Sequence, residues 1–373
     1  MTCPACGTQV PEAVRFCETC GAEVGVSTGS TTGGPTADDR TPLEVAPISA
    51  PTRRPADALP DPAEPAGRRP CASCGGEVGP DYYCTVCGTK APSERDHFEE
   101  TPAAWVAGVC DRGVVHERNE DAMALLAAPE PGSRAVLIVL DGVSSSVDSD
   151  VASLAGAKAA REVLRRPLPS GMGTAQSREA AVARTFGDAV TAANTAIVAT
   201  TDPDSPNPAS ATFVCAIVEG GRLYVANVGD SRAYWLPDGG EGVQLSVDDS
   251  MAQVQMTAGV PREQAESSPQ AHAITKWLGR DSSDITPRIG QLDVTEPGWL
   301  VVCSDGLWNY ASSPAELATQ LGAAGTREPL ALASALVGFA TTCGGHDNIT
   351  VAVARLEQAG TPAGDDEGAG HDG

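Results

Sequence analysis

Aspartates stand where several apolar runs of this chain end or begin. Asp141 follows the apolar run from Val136 to Leu140 and precedes a glycine. The arrangement recurs, with Gly or Asn beside each acid, at Asp230, Asp305 and Asp347. One such aspartate alone is usually a turn former or a helix cap. Four of them on separate apolar runs indicate a shared chemical role.

Carboxylates held at strand ends suit a hard divalent cation. Mg²⁺ and Mn²⁺ prefer oxygen ligands and retain several waters, so a few carboxylates and one backbone carbonyl suffice. The glycine after Asp141, Gly142, lets its own carbonyl approach a metal without steric conflict. Two such ions about 3.5 to 4 Å apart can activate one water for attack on phosphorus. The aspartates therefore predict a two-metal hydrolytic centre.

Eight of the twelve cysteines are arranged in C-x-x-C pairs, which are Cys3 and Cys6, Cys17 and Cys20, Cys71 and Cys74, and Cys84 and Cys87. Two pairs together can complete a tetrahedral thiolate site for zinc, and glycines after the pairs (Gly7, Gly21, Gly75, Gly88) allow tight turns. Disulfides and a thioredoxin-like redox pair are the alternatives, and neither a secretory signal nor a βαβ context supports them. The pattern predicts two structural zinc ions, in modules that bind a protein partner.

Charge and hydropathy exclude several classes of protein. The chain has 25 Lys and Arg against 49 Asp and Glu, a net charge of −24, which disfavours nucleic-acid or membrane binding through a basic surface. No apolar run reaches about 18 residues, so no membrane span is predicted. The first residues have neither the basic nor the apolar region of a secretory signal. We expect a cytoplasmic protein.

Composition changes along the chain predict its organisation. The segments between and after the patterned regions are rich in Gly, Ser, Thr, Pro, Ala and Asp, and cannot bury enough apolar surface to order themselves. The predicted units are a zinc ribbon at 1–24, a disordered linker at 25–70, a zinc ribbon at 71–90, a short linker at 91–102, a catalytic domain at 103–356 and a disordered acidic tail at 357–373.

Hydrophobic periodicity predicts the elements of the main domain. Short apolar runs predict strands at 104–110, 121–127, 134–140, 211–218, 222–228, 231–236, 299–303 and 348–355. Spacing near 3.6 predicts helices at 150–165, at 178–199, from a capping box at Ser313 and Glu316, and at 329–341. Strands, a helical pair, strands and a second helical pair make an α+β fold.

The motifs of this domain occur in a known order. They are DRGVVHERNED, LIVLDGV, NPASATFVCAIV, LYVANVGDSRAYWL, LSVDDSMAQ, ITKWLG, LVVCSDGLWN and GGHDNITVAVA. In sequence and spacing the region 103–356 resembles the protein phosphatase 2C family, the metal-dependent serine/threonine protein phosphatases. The resemblance implies a four-layer αββα sandwich of two antiparallel sheets flanked by helices. It also implies hydrolysis of phosphoserine and phosphothreonine by a water that two Mg²⁺ or Mn²⁺ ions activate.

The resemblance assigns roles to matched positions. It implies that Asp141 bridges both ions and that the Gly142 carbonyl joins it. Asp305 and Asp347 would hold one ion, so Asp141, Asp305 and Asp347 are the predicted catalytic acids. Glu120, with Asp121 behind it, would approach the other ion through water.

Other matches and departures concern the edges of the site. Asp230 matches the position of a third, weaker metal, although Asn309 replaces a second acid that serves that metal in many members. Residues 247–280 would form a variable flap. After Gly142 the chain reads VSSSVDS, a more polar loop than the MGGH that bacterial relatives commonly have there.

The most informative departure is His116. The family usually places an arginine there, four residues before Glu120, and its fork holds the substrate phosphate. A histidine must be protonated to replace that charge. A loop histidine without a role is the alternative, in which case Arg112 or Arg118 is close enough in sequence to hold the phosphate.

Two functional classes follow from these residues. The first is a phosphatase that acts on phosphoproteins, the products of serine/threonine kinases, with the ribbons recruiting partners. The second is a weakly active or inactive scaffold that binds phosphoproteins through the same fold. The retained acids Asp141, Asp305 and Asp347 favour the first, because decay of the activity would be expected to remove a ligand.

Overall fold

The computed structural model describes residues 70–71, 74–79, 83–89, 91 and 93–357, together with residue 2. The strands in this part of the chain are β1 (His97–Ala103), β2 (Val106–Asp111), β3 (Ala122–Ala127), β4 (Arg134–Leu140), β5 (Ser210–Ala211), β6 (Phe213–Glu219), β7 (Arg222–Val228), β8 (Arg232–Pro237), β9 (Val243–Gln244), β10 (Leu278–Gly279), β11 (Arg288–Asp293), β12 (Gly298–Cys303) and β13 (Ile349–Leu356). The helices are α1 (Ser149–Leu164), α2 (Ala175–Thr200), α3 (Met251–Thr257), α4 (Arg262–Glu266), α5 (Asp305–Trp308), α6 (Pro314–Ala324) and α7 (Pro329–Thr342).

Two antiparallel sheets form the centre of the fold. The six-stranded sheet has the order β1-β2-β13-β12-β8-β9, and the five-stranded sheet has the order β11-β7-β6-β4-β3. Strands β5 and β10 make a separate short pair. Apolar residues from both sheets, among them Leu137, Val225, Val302 and Ala352, form one buried cluster between them. The two sheets therefore pack face to face.

Helices cover the outer face of each sheet. Phe186 and Ile197 of α2 pack with the five-stranded sheet, together with alanines of α1. Leu317 of α6 and Leu336 of α7 pack with Val351 of the six-stranded sheet. These layers confirm the predicted αββα sandwich. No helix in the described part of the chain has both the length and the hydropathy of a membrane span.

Strand β4 shows why the apolar run before Asp141 is continuous. Val136, Ile138 and Leu140 belong to the cluster under the helices, whereas Leu137 and Val139 belong to the cluster between the sheets. Successive side chains of a strand point to opposite faces, so a strand covered on both sides must be apolar throughout. This central position fixes the strand end that carries Asp141.

The fold begins earlier than the sequence pattern predicts. Strand β1 pairs with β2 along its length, from His97 opposite Asp111 to Ala103 opposite Val106, and the main-chain N–H of Leu125 donates to Glu100 (2.7 Å). Residues 97–102 are therefore part of the sheet, and the predicted linker 91–102 and domain start at 103 are wrong for them. The reason is that this partly exposed edge strand is rich in charged residues and carries little hydrophobic signal.

Helix α2 also begins earlier than predicted, at Ala175, because Thr174 and Ser177 form a capping box ahead of the apolar stripe. The capping box predicted at Ser313 and Glu316 is present at the start of α6. The predicted linker 25–70, apart from residue 70, and the predicted tail 357–373, apart from residue 357, lie outside the described residues.

Candidate metal centres

The backbone of Asp141 is fixed where β4 ends. Its N–H donates to the Thr212 hydroxyl (3.2 Å), and its carbonyl accepts from the Thr212 N–H (2.8 Å). Gly142 follows, and its N–H donates to the Glu120 carbonyl (3.2 Å). A Cβ at Gly142 would lie 2.5 Å from that carbonyl oxygen, so only glycine permits this approach. The backbone carrying Glu120 therefore lies directly beside Asp141.

Asp305 and Asp347 are brought together by a second close approach. Asp305 opens α5 directly after β12, and Asp347 stands just before β13, the strand that pairs with β12. A Cβ at Gly306 would lie 2.0 Å from the Asn348 carbonyl oxygen, so this contact also requires glycine. Asp305 Oδ2 accepts from Asn309 (3.1 Å), while its Oδ1 is buried without a hydrogen-bond partner among the described residues.

Asp121 lies fully buried beside these acids. The hydroxyls of Ser304 and Thr350 both donate to its Oδ2, each at 2.7 Å. Its Oδ1 is buried and has no hydrogen-bond partner in the described part of the chain. Buried polar atoms in native proteins are normally paired with protein, water or an ion. The unpartnered oxygens of Asp121 and Asp305 therefore mark a place for a further ligand.

The aspartates form one electrostatic group. Burial, followed by the carboxylates of Asp121 and Asp305, holds the pKa of Asp141 well above its usual range. Burial and the Asp347 carboxylate do the same to the pKa of Asp305. Burial raises the pKa of Asp121 to about 7, and burial together with other carboxylates raises the pKa of Asp230 to about 7. Like charges that raise one another's pKa in this way are relieved by a bound cation.

The donor set fits Mg²⁺ or Mn²⁺, because it consists of carboxylate oxygens, two of them without a hydrogen-bond partner. No three side chains of this acid group place their oxygens within 4.8 Å of one another. Mg²⁺ commonly retains several waters, so it needs few carboxylates as direct ligands.

Glu120 and Asp121 point to different partners. Glu120 is buried, and its Oε1 accepts from Arg118 Nη2 and from the Ser149 hydroxyl, both at 2.8 Å. After burial, the Asp121 carboxylate is the first of the four neighbouring acids that raise the pKa of Asp141. The family resemblance implies that Glu120 approaches the metal with Asp121 behind it, whereas in the structure Asp121 itself is part of the acid group.

His116 reaches the same group from the loop before Glu120. Its Nε2 lies 3.3 Å from Asp347 Oδ1, and its Nδ1 lies 3.8 Å from Glu120 Oε2. Arg118 instead pairs with Glu120 and lies 3.8 Å from Asp150. Of the three basic residues considered for phosphate binding, His116 is the one that contacts a predicted catalytic acid. Arg112 contributes its backbone carbonyl to the site, as an acceptor from Asn348 (2.7 Å).

Several supporting residues have no signal in the sequence pattern. Buried Asn348 donates to the carbonyls of Arg112 (2.7 Å) and Arg118 (3.0 Å), and accepts from the Glu120 N–H (2.7 Å). It thereby fixes the loop that carries His116 and Glu120. The hydroxyls of Ser149, Thr212, Ser304 and Thr350 hold the acids or their backbone. Small polar residues are common everywhere, so only their position beside an acid motif could have identified them.

The predicted flap, 247–280, contains α3 and α4 and forms ion pairs with a buried arginine. Arg232 donates to Asp248 (2.7 Å) and Glu266 (3.0 Å) of the flap. Its guanidinium also lies 3.7 Å from the centre of the Trp308 ring. Asp230, two residues earlier, is 4 % exposed and follows Gly229, which has φ of +97°. The carboxylates of Asp248 in the flap and of Asp347 in the acid group both raise the pKa of Asp230, so Asp230 lies near both.

The second cysteine set forms a compact cluster. The sulfur atoms of Cys71, Cys74, Cys84 and Cys87 all lie within 4.8 Å of one another. The N–H groups of Gly75 (2.7 Å) and Gly88 (2.9 Å) donate to the carbonyl of the first cysteine in each pair. Both glycines have positive φ, as the tight turns require. Four sulfur ligands in this arrangement suit a tetrahedral zinc ion.

The first cysteine set, Cys3, Cys6, Cys17 and Cys20, lies outside the described residues. Residues 2–24 nevertheless match the family model of the zinc-ribbon domain.

The described fold is an αββα sandwich with interacting aspartates after β4, after β12 and before β13. Residues 114–331, more than half of the chain, match the family model of protein phosphatase 2C. The chain belongs to the protein phosphatase 2C family.

Curated relatives support this membership. The serine/threonine protein phosphatase PstP of Mycobacterium tuberculosis is 31% identical over 269 residues, which is 69% of this chain and 48% of the relative. Protein phosphatase PhpP of Streptococcus pneumoniae is 35% identical over 148 residues, 39% of this chain and 57% of the relative. The chain thus spans about half the length of these two relatives.

Solved structures share the fold over most of their length. The phosphatase MsPP of Mycobacterium smegmatis matches with a TM-score of 0.52 and 28% identity, over 67% of this chain and 97% of that structure. PstP of Mycobacterium tuberculosis matches with a TM-score of 0.54 and 29% identity, over 68% and 98% respectively. Another structure of the PstP catalytic domain, which holds two manganese ions, matches at 0.50 and 27% identity over the same shares.

Proposed function

We propose that this chain is a metal-dependent phosphatase that hydrolyses phosphoserine and phosphothreonine in proteins. The observation that carries the proposal is the group of interacting acids built from buried Asp121 with Asp141, Asp305 and the partly exposed Asp347, two of whose oxygens are buried without a hydrogen-bond partner among the described residues. Family membership and relatives named as serine/threonine protein phosphatases support it.

The acids Asp141, Asp305 and Asp347, with Asp121, would hold two Mg²⁺ or Mn²⁺ ions, and the Gly142 carbonyl would join them. When bound, such ions lower the pKa of water so that it attacks phosphorus directly. The protein contributes a rigid setting, because Gly142 and Gly306 bring the acid-bearing segments together. A fixed arrangement of charge needs no reorganisation during the reaction.

His116 would bind the substrate phosphate at the rim of this group. It is half-buried and lies between Asp347 and Glu120, where a phosphoryl oxygen that approaches the acids would meet it. A protonated imidazole donates from both ring nitrogens, so it can bind a carboxylate and a phosphate together. Asp230 would serve a weaker third ion beside the flap.

The cysteine modules would each bind one structural zinc ion. Segments this short cannot bury a core, so metal binding would supply their folding free energy. The compact sulfur cluster at 71–87 supports the second site, and the family match at 2–24 supports the first. We propose that both modules recruit a protein partner to the phosphatase.

Hydrolysis of a phosphothreonine peptide by the full chain tests the proposal. With Mn²⁺ present, we expect release of inorganic phosphate, and we expect Asp305→Asn and Asp141→Asn to remove most of it. Asp188→Asn, an isosteric change of an exposed acid on α2, is the matched control and should retain the rate. Near-normal turnover by Asp305→Asn at saturating Mn²⁺ would contradict the assignment. The alternative scaffold function predicts peptide binding without phosphate release.

A further inference from the structure

Arg95 lies in the segment that precedes β1 and contacts the backbone around Glu120 and Asp121. Its Nη2 donates to the carbonyl of Asp121 (2.6 Å) and also lies within hydrogen-bond distance of the carbonyls of Asn119 (3.3 Å) and Asp150 (3.2 Å). The first two carbonyls flank Glu120. The third belongs to the first turn of α1, next to Ser149, whose hydroxyl donates to Glu120.

Arg95 is itself held from several sides. The side-chain amide of Asn119 donates back to the Arg95 carbonyl (2.8 Å). A turn is closed around it, since the Ser93 N–H donates to Asp96 (2.7 Å). The guanidinium also lies 5.3 Å from the centre of the Phe98 ring. A planar guanidinium that is fixed in this way presents its donors with little loss of conformational entropy.

The positive charge of Arg95 also favours the ionised form of Asp121. Arg95 lowers the pKa of Asp121, against the larger effect of burial, which raises it. The residue therefore places a permanent positive charge beside Asp121, in addition to the Arg118 guanidinium that pairs with Glu120. Removal of that charge would loosen the backbone of 119–121 and increase repulsion among the acids.

We propose that Arg95 is a positioning residue that joins the Asn119–Asp121 backbone to helix α1 and so sets the carboxylates of Glu120 and Asp121 for metal binding. This role rests on the proposed function of the acid group. Arg95 follows Ala91, which packs in the second cysteine cluster, by four residues. The segment that leads out of this cluster therefore ends in a residue that supports the phosphatase site.

The test compares Arg95→Gln and Arg95→Lys with Arg134→Gln in the full chain. Arg134 is a matched control, because it also donates to three backbone carbonyls, those of Leu164 (2.6 Å), Arg165 (3.0 Å) and Arg166 (2.5 Å), at the other end of α1. The probe is Mn²⁺ alone, and its affinity is measured by the electron paramagnetic resonance signal of the free ion.

Outer-shell residues that orient metal ligands typically change metal affinity by about 10–100-fold. We expect Arg95→Gln to weaken Mn²⁺ binding at least about tenfold, with partial recovery in Arg95→Lys, which keeps the charge but not the fork. Arg134→Gln should lower the melting temperature and leave the Mn²⁺ affinity of the folded protein within about twofold. Amide exchange at 119–121 should accelerate only in the Arg95 variants.

Equal Mn²⁺ affinity in wild type and the folded Arg95 variants would overturn the proposal, as would equal weakening by Arg134→Gln. If Arg95→Gln does not fold, the Mn²⁺ affinity of Arg95→Lys is compared with that of wild type and Arg134→Gln instead. A wild-type chain that binds Mn²⁺ but releases no phosphate would refute the proposed function, and the Arg95 comparison would still be decided by metal affinity. If the wild type binds no Mn²⁺, unchanged exchange at 119–121 in both Arg95 variants overturns the positioning role.

Discussion

Replacement of Asp121 by Asn should make the metal-free protein more stable, relative to wild type, as pH rises. Burial raises the pKa of Asp121 from 3.8 to about 7. Between these values the folded protein holds a proton that the unfolded chain has released. Proton binding to Asp121 therefore stabilises the folded state. This stabilisation is fully present below about pH 4 and is lost as pH rises through about 7. Asparagine does not titrate, and its carbonyl oxygen can still accept from Ser304 and Thr350.

The size of the effect follows from linkage. A carboxyl with folded and unfolded pKa values of about 7 and 3.8 contributes about 2–3 kcal/mol less stability at about pH 8 than at about pH 5. The Asp121 carboxylate also raises the pKa of Asp141, so its removal relieves a second acid in the same direction. The free energy of unfolding of Asp121→Asn, minus that of wild type, should therefore increase by about 2–3 kcal/mol over this pH range.

Urea unfolding followed by tryptophan fluorescence measures this difference, because the five tryptophans all lie between residues 105 and 308. Gel filtration into buffer without divalent ions provides the metal-free state. The control is Asp188→Asn, for which the difference from wild type should be the same at both pH values. If Asp121→Asn also shows no change between about pH 5 and about pH 8, the electrostatic reasoning about the buried acid group is refuted.

Further predictions concern the phosphate, the zinc and the close approach of two segments. His116→Arg should lower the KM for a phosphopeptide, most clearly at alkaline pH where an imidazole loses its charge, and a KM that follows wild type at every pH would make His116 a bystander. Cys84→Ser should lower the zinc content of the anaerobically purified chain from about two ions to about one, measured by mass spectrometry of the metal. Gly306→Ala should destabilise the protein by at least about 1–3 kcal/mol in urea unfolding, because its Cβ would lie 2.0 Å from the Asn348 carbonyl oxygen.

The sandwich could be predicted because its central strands have a strong physical signature. β4 is covered on both faces, so its apolar run is unbroken and its end at Asp141 is clear. The acids could be found for the same reason, since each follows or precedes such a run. Edge strand β1 could not, because its partly exposed sequence contains two adjacent glutamates and a proline, a composition that also suits a loop.

The supporting contacts of the site were beyond sequence reasoning. Arg95 and Asp121 are 26 positions apart and meet only through the fold. Asn348 reaches the Glu120 N–H across 228 positions. Such contacts form only when the two sheets pack and bring the start of β13 next to the loop before β3. Local spacing in the sequence can predict which acids share a site. It cannot predict which amides and hydroxyls the fold will bring against them.

Turnover of a small aryl phosphate by the full chain, with and without Mn²⁺, tests the central claim most directly. We expect p-nitrophenyl phosphate hydrolysis that requires added Mn²⁺ or Mg²⁺ and that Asp305→Asn removes. Hydrolysis that is equal with and without added ions, or that Asp305→Asn retains, would contradict a metal centre built on the acid group. Absence of hydrolysis in a folded chain that binds Mn²⁺ would contradict the phosphatase assignment itself.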